Sequence, residues 1–526
     1  MSDLSNMKAV QLLDLPDELI LAIIKKVHPQ VLLFCSMIDI DNNRLKQLAF
    51  DGCHSIDFTF DYINAPHRSL MKRFYSDVMP LIGNSIQSLT IDLHHIRPID
   101  EYHQNTDNKT LKNLRHLKIM LGAKRSKTGV PYTIVNHHMC YPEMRKPLLS
   151  IVPQYFLLRN DIQSFELDDN CLLSNSITGK QLRIPEAVQL THIRISFWNF
   201  AQCVGLLIQL GCQLQSLTVT IAMSDENRET LNNVIQSISC PNLKHLTIKM
   251  YRNFKNFDVC LCLLERLSSV EHLTLLLAID ETNTTSIHFI DQLFSEKNIY
   301  RCMPNLHQFH FHIRSIFKGA SQTTADQILQ GFVKREQHQS FHCVIDHFNN
   351  SYGQCQIYSL PFIGTRLDFV SNRFPFFDNH STFSSVTTML LFDDVEPFEN
   401  VFFERIAQVL PRLRTLEIIN PLEQKKKSAV TKTNIIFPHL TVLILYDNHM
   451  DYTELFLYGI HLPSLIELAI DKDMLFSLIA QNQQRTSDNC SRLRIIHTSK
   501  PSYESKDAIQ KFFPQVDYLV HVKDRM

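Results

Sequence analysis

Four histidines occupy the same place in a short recurring motif. His116, His192, His245 and His272 each stand directly before the second of its three apolar anchors, and His310 and His312 extend the series at neighbouring positions. Imidazoles repeated in this way offer two chemistries. They are either ordinary surface side chains that titrate near neutral pH, or a ladder whose neighbours share an acidic group or a metal. Arg194, Lys249, Phe392 and Tyr446 fall on the same kind of position and complete the candidate target-binding set. Other metal-type groupings are weaker. Cys260-x-Cys262 lies in an apolar helical run and reads as core, and His137-His138-Met139-Cys140 has no matching pair at ligand spacing. The chain has no Gly-x-Gly-x-x-Gly, no phosphate loop, no His-Glu-x-x-His and no Gly-x-Ser-x-Gly. No catalytic residue, metal or cofactor is therefore assigned, and the expected protein is not an enzyme. A metal-dependent hydrolase built on the histidine line is the competing enzymatic reading.

The elements that would position these side chains emerge from spacing. The motif is an apolar residue, two variable ones, an apolar residue, one variable residue and a third apolar residue. Its clearest copies are Leu243-Leu246-Ile248, Leu306-Phe309-Phe311, Leu413-Leu416-Ile418, Leu440-Leu443-Leu445 and Leu465-Leu468-Ile470, each with a proline two residues before the first anchor. Weaker copies begin at Ile86, Leu114, Ile162, Leu190, Leu214, Val270, Val386 and Leu493. The gaps between first anchors hold near 27 residues over long stretches, as in 386, 413, 440, 465 and 493. Chance apolar residues would reproduce the motif but not its interval. Between copies the apolar period lengthens to that of a helix, clearest in Phe398 to Leu410, Asn199 to Leu210, Asp225 to Ile238 and Phe257 to Leu267. Each unit thus predicts a strand, a turn, a helix and a return loop. One unit cannot bury its own apolar faces, so neighbours must stack.

This pattern resembles the leucine-rich-repeat family of the longer, helix-containing type, over roughly residues 84 to 525. The resemblance implies an α/β solenoid with parallel strands on a concave side and helices on a convex side. The chain departs from the family in two respects. Few copies carry the usual asparagine after the strand, Asn420 and Asn448 being nearest, and the gaps 114 to 162 and 306 to 386 are long. Insertions are expected near 121–160 and 315–380. In the second, Phe341 to Ile345 and Leu367 to Val370 look strand-like, so degenerate repeats are the alternative.

Residues 1–52 form a separate helical segment. Leu15-Pro16-Asp17-Glu18-Leu19-Ile20 opens a helix that runs to Val27, with proline in the first turn and the acidic pair where the helix dipole favours it. Two further apolar stretches follow, Val31 to Ile38 and Asn43 to Phe50. The opening run resembles the first helix of the F-box. That resemblance implies that Leu15, Pro16, Leu19, Ile20 and Ile23 dock on the Skp-type adaptor of a cullin ubiquitin ligase. The family's tryptophan in the last helix is absent. The other reading is a cap that shields the first repeat, which exposed solenoid ends require.

Net charge is −1 and pI near 7.1, so no global field draws the chain to nucleic acid or to an anionic membrane. Lys425-Lys426-Lys427 reads as a solvated loop or a basic docking signal. No run approaches the roughly 18 apolar residues of a membrane span. The scattered thirteen cysteines and the lack of a secretory leader predict reduced thiols in the cytoplasm or nucleus. Towards the C-terminus the concave positions turn apolar, with Leu390, Phe392, Ile419, Val442, Ile444 and Tyr446, and are expected to be an exposed protein-binding patch. The two functional expectations are a non-catalytic substrate receptor of an F-box-type ligase, holding an adaptor and a protein substrate, and a leucine-rich-repeat scaffold or inhibitor whose first helices are only a cap.

Overall fold

The computed structural model describes residues 11–27, 30–51, 55–57, 68–92, 111–120, 161–167, 189–223, 228–255, 257–281, 299–318, 341–349, 352–375, 383–425, 434–481, 489, 491–498, 503–516 and 518–521. It is a mixed α/β protein built from repeated parallel strands and intervening helices. The strands are β1 (Ser55–Asp57), β2 (Ser88–Asp92), β3 (His116–Met120), β4 (Ser164–Leu167), β5 (His192–Asn199) and β6 (Ser216–Met223). They continue with β7 (His245–Phe254), β8 (His272–Glu281), β9 (Gln308–Lys318), β10 (Phe341–His347), β11 (Tyr352–Ser359) and β12 (Arg366–Val370). The last are β13 (Thr388–Phe392), β14 (Thr415–Ile419), β15 (Val442–Leu445), β16 (Glu467–Ile470), β17 (Ile495–Thr498) and β18 (Tyr518–His521). An eleven-stranded sheet takes the order β1 through β9, then β11 and β10; a seven-stranded sheet runs β12 to β18.

Every copy of the motif delivers a strand that starts two residues after its first anchor. The reason lies in the register. Leu416 stands opposite Met389 and Leu443, and Leu443 opposite Leu468, so each anchor abuts the same anchor of the next unit. All of these side chains are buried. Removing them from water stabilises the stack by roughly 1.5–3 kcal/mol each, relative to leaving them exposed.

The chain divides into two compact units. The first contains α1 (Asp17–Ile24), α2 (Gln30–Asp39), α3 (Asn43–Asp51), α4 (Arg68–Arg73), a π-helical stretch Phe74–Val78, α5 (Met79–Ile82) and strands β1 to β4. Residues 68–82 are thus one helical run between β1 and β2. Ile20 and Ile24 of α1 pack with Met37, Leu45 and Ala49 in a small core. Helix α2 lies on the 68–82 run through Phe34 against Phe74, while Arg73 forks onto Asp39 and the Cys35 thiol donates to the Leu70 carbonyl.

The second unit holds α6 (Phe200–Leu210), α7 (Arg228–Ile235), α8 (Phe257–Leu264), α9 (Ile299–Cys302), strands β7 to β18, α10 (Asn400–Val409), α11 (Met450–Glu454), a π-helical turn Leu455–Gly459, α12 (Lys472–Gln481) and α13 (Tyr503–Phe512). Asn199 caps α6 by accepting from the Gln202 amide. The stripe predicted over 398–410 forms α10, with Phe402, Phe403, Ile406 and Val409 buried against the strand anchors.

The long interval before β13 has two parts. Strands β10 and β11 form an antiparallel hairpin, and β11 pairs antiparallel with β9, so Phe341 to Ile345 belongs to a sheet edge and not to a parallel repeat. Leu367 to Val370 lies in β12, which pairs parallel with β13 and opens the seven-stranded sheet. Strands β3 and β4 are direct neighbours, with His116 opposite Ser164; residues 121–160 between them lie outside the described residues.

Candidate recognition surface

In the first unit, α1 is split by its own periodicity. Residues 20 and 24 share one face and are buried, whereas Leu19 and Ile23 share another and are 51% and 43% exposed. Ile20 was expected on the adaptor-docking face with Leu15, Pro16, Leu19 and Ile23. It faces the helix core instead, because the helix buries exactly one stripe and Ile20 lies on it. Leu15 is half-buried at the edge of that core, and Pro16 is exposed. Leu12, Leu13, Val27 and Leu32 of the same helical segment are exposed as well. Leu12 and Leu13 lie in a 3-10 turn, held in place by Arg44 of α3, whose guanidinium donates to the Leu13 and Leu15 carbonyls and pairs with Asp17 at 2.7 Å.

The strands of this unit carry a polar face. His116, Ser164 and His192 form one row across β3, β4 and β5, and Lys118, Glu166 and Arg194 form the next. Lys118 donates to Glu166 at 2.8 Å, and Arg194 approaches the same oxygen at 3.7 Å. One carboxylate between two cations leaves that row net positive. Glu166 was not singled out from the sequence, yet the signal exists: all three residues lie four positions after a first anchor. His192 accepts or donates at Nδ1 with the Thr191 hydroxyl, 2.9 Å away.

In the second unit, the register places His245 opposite His272 and His272 opposite Gln308. The two imidazoles stack, with centroids 4.5 Å apart and planes 10° from parallel. His272 Nδ1 lies 3.0 Å from Gln308 Oε1, and Gln308 Nε2 lies 2.6 Å from His310 Nε2. Burial, then the nearby His272, pushes the His310 pKa down. Lys249, half-buried, stands opposite Leu276.

Further along β9 the same face goes under cover. His312 is buried, hydrogen-bonded to Gln356, and its pKa is lowered to about 4 by desolvation. Arg314 is buried beneath the Phe369 ring, 4.4 Å from its centroid. Burial lowers the Arg314 pKa to about 10, while the carboxylate of Asp368 opposes the shift. Phe369 sits at φ 54°, within the bulge of β12, and its carbonyl accepts from the side-chain amides of Gln354 and Gln356.

The expected apolar binding patch of the seven-stranded sheet is corrected by burial. Leu390, Val442, Ile444 and Tyr446 are buried, and Tyr446 donates its hydroxyl to the His497 carbonyl. Phe392 and Ile419 are half-buried, and Phe392 packs edge-on against Phe348 and Phe369. Tyr446 and Phe392 are therefore packing residues here. Alternation along a strand assigns a side chain to a face but does not say whether that face is covered. Ionisable groups missed by the sequence reading lie on this buried face: Glu417, opposite Leu390 and Ile444, and Glu467 and His497, which hydrogen-bond to each other.

Lys425 is exposed, and Lys426 and Lys427 lie outside the described residues, as do His137 to Cys140. Cys260 and Cys203 are buried in the helical layer, and desolvation raises both thiol pKa values. Cys262 is half-buried. Among the described residues no group of three or more His, Cys, Asp and Glu is arranged to hold a metal ion, and no helix is long and apolar enough to cross a membrane. What these surfaces offer is hydrogen bonding, charge and apolar contact.

No family model matches the sequence, and no curated protein matches it. Among solved structures, the crystal structure of the Rad7 and Elc1 complex in yeast aligns over 84% of this chain and 85% of that chain, at 11% identity and a TM-score of 0.26. A likeness of that size carries no argument about fold or function.

Proposed function

We propose that this chain is a non-catalytic recognition protein of leucine-rich-repeat type, and the substrate receptor of an F-box-type cullin ubiquitin ligase. Its α1 face holds a Skp-type adaptor, and the polar faces of its parallel strands hold a protein target. Such a protein makes and breaks no bonds; it raises the target's effective concentration at the ligase. The observation that carries this reading is that Leu12, Leu13, Leu19 and Ile23 are all exposed, with the turn bearing Leu12 and Leu13 tied down by Arg44. A helix serving only as a cover would turn its apolar residues inward. Exposed apolar groups that are held rigid lose little entropy on docking.

The second reading, a scaffold or inhibitor with a helical cap, is favoured by α2, which covers the 68–82 helical run through Phe34, Cys35 and Asp39. One experiment separates the two. The full chain, a chain of residues 53–526 and the double variant Leu19→Asp/Ile23→Asp are each co-expressed with a Skp-type adaptor. The receptor reading expects the adaptor to follow the full chain alone. Equal recovery with all three would leave only the cap. Because Leu19 and Ile23 are exposed, the double variant should melt within a few degrees of the parent.

A further inference from the structure

We infer that the partner of the β7–β9 face is a carboxylate-rich protein segment, and that the stacked His245–His272 pair grips it in a proton-dependent way. This rests on the reading that the strand face binds a protein. The geometry supplies the argument. Two parallel imidazoles 4.5 Å apart repel each other when both are charged, and an anion beside them offsets that repulsion. A carboxylate arriving at the rim of the stack supplies that anion, so its binding draws in a proton.

The hydrogen-bond chain says where the proton goes. With the Gln308 amide as placed, its oxygen accepts from His272 Nδ1 and its nitrogen donates to His310 Nε2. His310 is thereby held as a neutral acceptor, with burial also opposing its charge. The stacked pair is left to meet the carboxylate, and its His245 ring is exposed. Around it stand Lys249 on β7 and His310 on β9, with Lys244, Glu271 and His307 in the residues just before β7, β8 and β9; β6 carries no titratable side chain. Glu271 is already engaged by Lys244 at 2.9 Å. The surroundings are weakly positive at neutral pH and gain positive charge in acid, the complement of an acidic segment.

The test uses the full chain and a fluorescein-labelled octaglutamate peptide. Anisotropy is read at pH 7.5 and 5.5 and constant ionic strength, with octalysine as the charge control. The expected result is about tenfold tighter octaglutamate binding at pH 5.5, the linkage of one proton over roughly one pH unit. That gain should vanish in His245→Gln/His272→Gln and persist in His439→Gln, a change at an exposed histidine outside this face. Binding indifferent to pH, or retained by the double variant, overturns the inference. A photo-crosslinker at Thr274 distinguishes the two levels of failure. A protein captured there regardless of pH and of the histidine pair overturns the acidic site alone, and a face that captures nothing overturns the underlying reading as well.

Discussion

His312, buried near the buried Arg314 guanidinium, should contribute to the acid sensitivity of this fold. His312 is covered on β9, bonded to Gln356, and held to about 4 by desolvation, against about 6.5 in an unfolded chain. The unfolded state therefore binds the proton more readily. Stability should be complete above about pH 6.5, fall as the pH drops, and level off below about 4. The difference is worth roughly 3 kcal/mol at full extent. Melting temperatures measured from pH 7.5 to 4.5 should fall more steeply for the parent than for His312→Gln, which removes the titrating group. Equal slopes would place the acid sensitivity elsewhere. Arg314 is the buried cation of the same strand. Its charge is screened by Phe369 and balanced by Asp368, so Arg314→Met retains the volume but leaves Asp368 to its partner Arg366 alone.

Helix ends and turns are held by side chains from neighbouring units. Asn489 is buried, and its amide donates to the carbonyls of Phe456, Leu457 and Ile460, while its oxygen accepts from the Leu462 amide. One side chain thus satisfies the open end of the Leu455–Gly459 π-helical turn, where the ordinary ladder stops. Asn489→Ala should cost on the order of 2–3 kcal/mol, because several buried backbone groups lose their partner together; chemical denaturation checks this. Asn420 works similarly after β14, donating to the Glu396 carbonyl and accepting from the Leu422 amide. At the other end of the chain, Arg44→Ala should release the 3-10 turn, at a cost on the order of 1 kcal/mol. Limited proteolysis should then cut within residues 11–16 faster than in the parent. Unchanged cutting would mean that the turn is held by other contacts.

Within each compact unit, stability is shared between neighbours, because each strand leans on those beside it. Leu468 is fully buried between Leu443 and Ile496. Leu468→Ala should cost 2–5 kcal/mol, about what a large-to-small change in a core costs. Hydrogen exchange should show the loss first at β15, β16 and β17, since coupling in stacked repeats passes to the nearest neighbour. Uniform loss across β7 to β18 would argue for one cooperative block.

What the amino-acid order determined by itself was local, although the helices at 68–82, 450–459, 472–481 and 503–512 were not among the elements it placed. The anchors and their interval placed strands β2 to β9 and β13 to β17, and the longer period between them placed α6, α8 and α10, because each pattern is written within a few residues of the backbone it shapes. The first three helices were legible for the same reason. The tertiary structure decided what faces what. It put Glu166 between Lys118 and Arg194, stacked His245 on His272, turned Ile20 inward, made Phe341 to Ile345 antiparallel, and buried Tyr446 and His312. Lateral partners lie a whole unit or more away along the chain, and a face is covered by segments more distant still. No short-range period can carry that information.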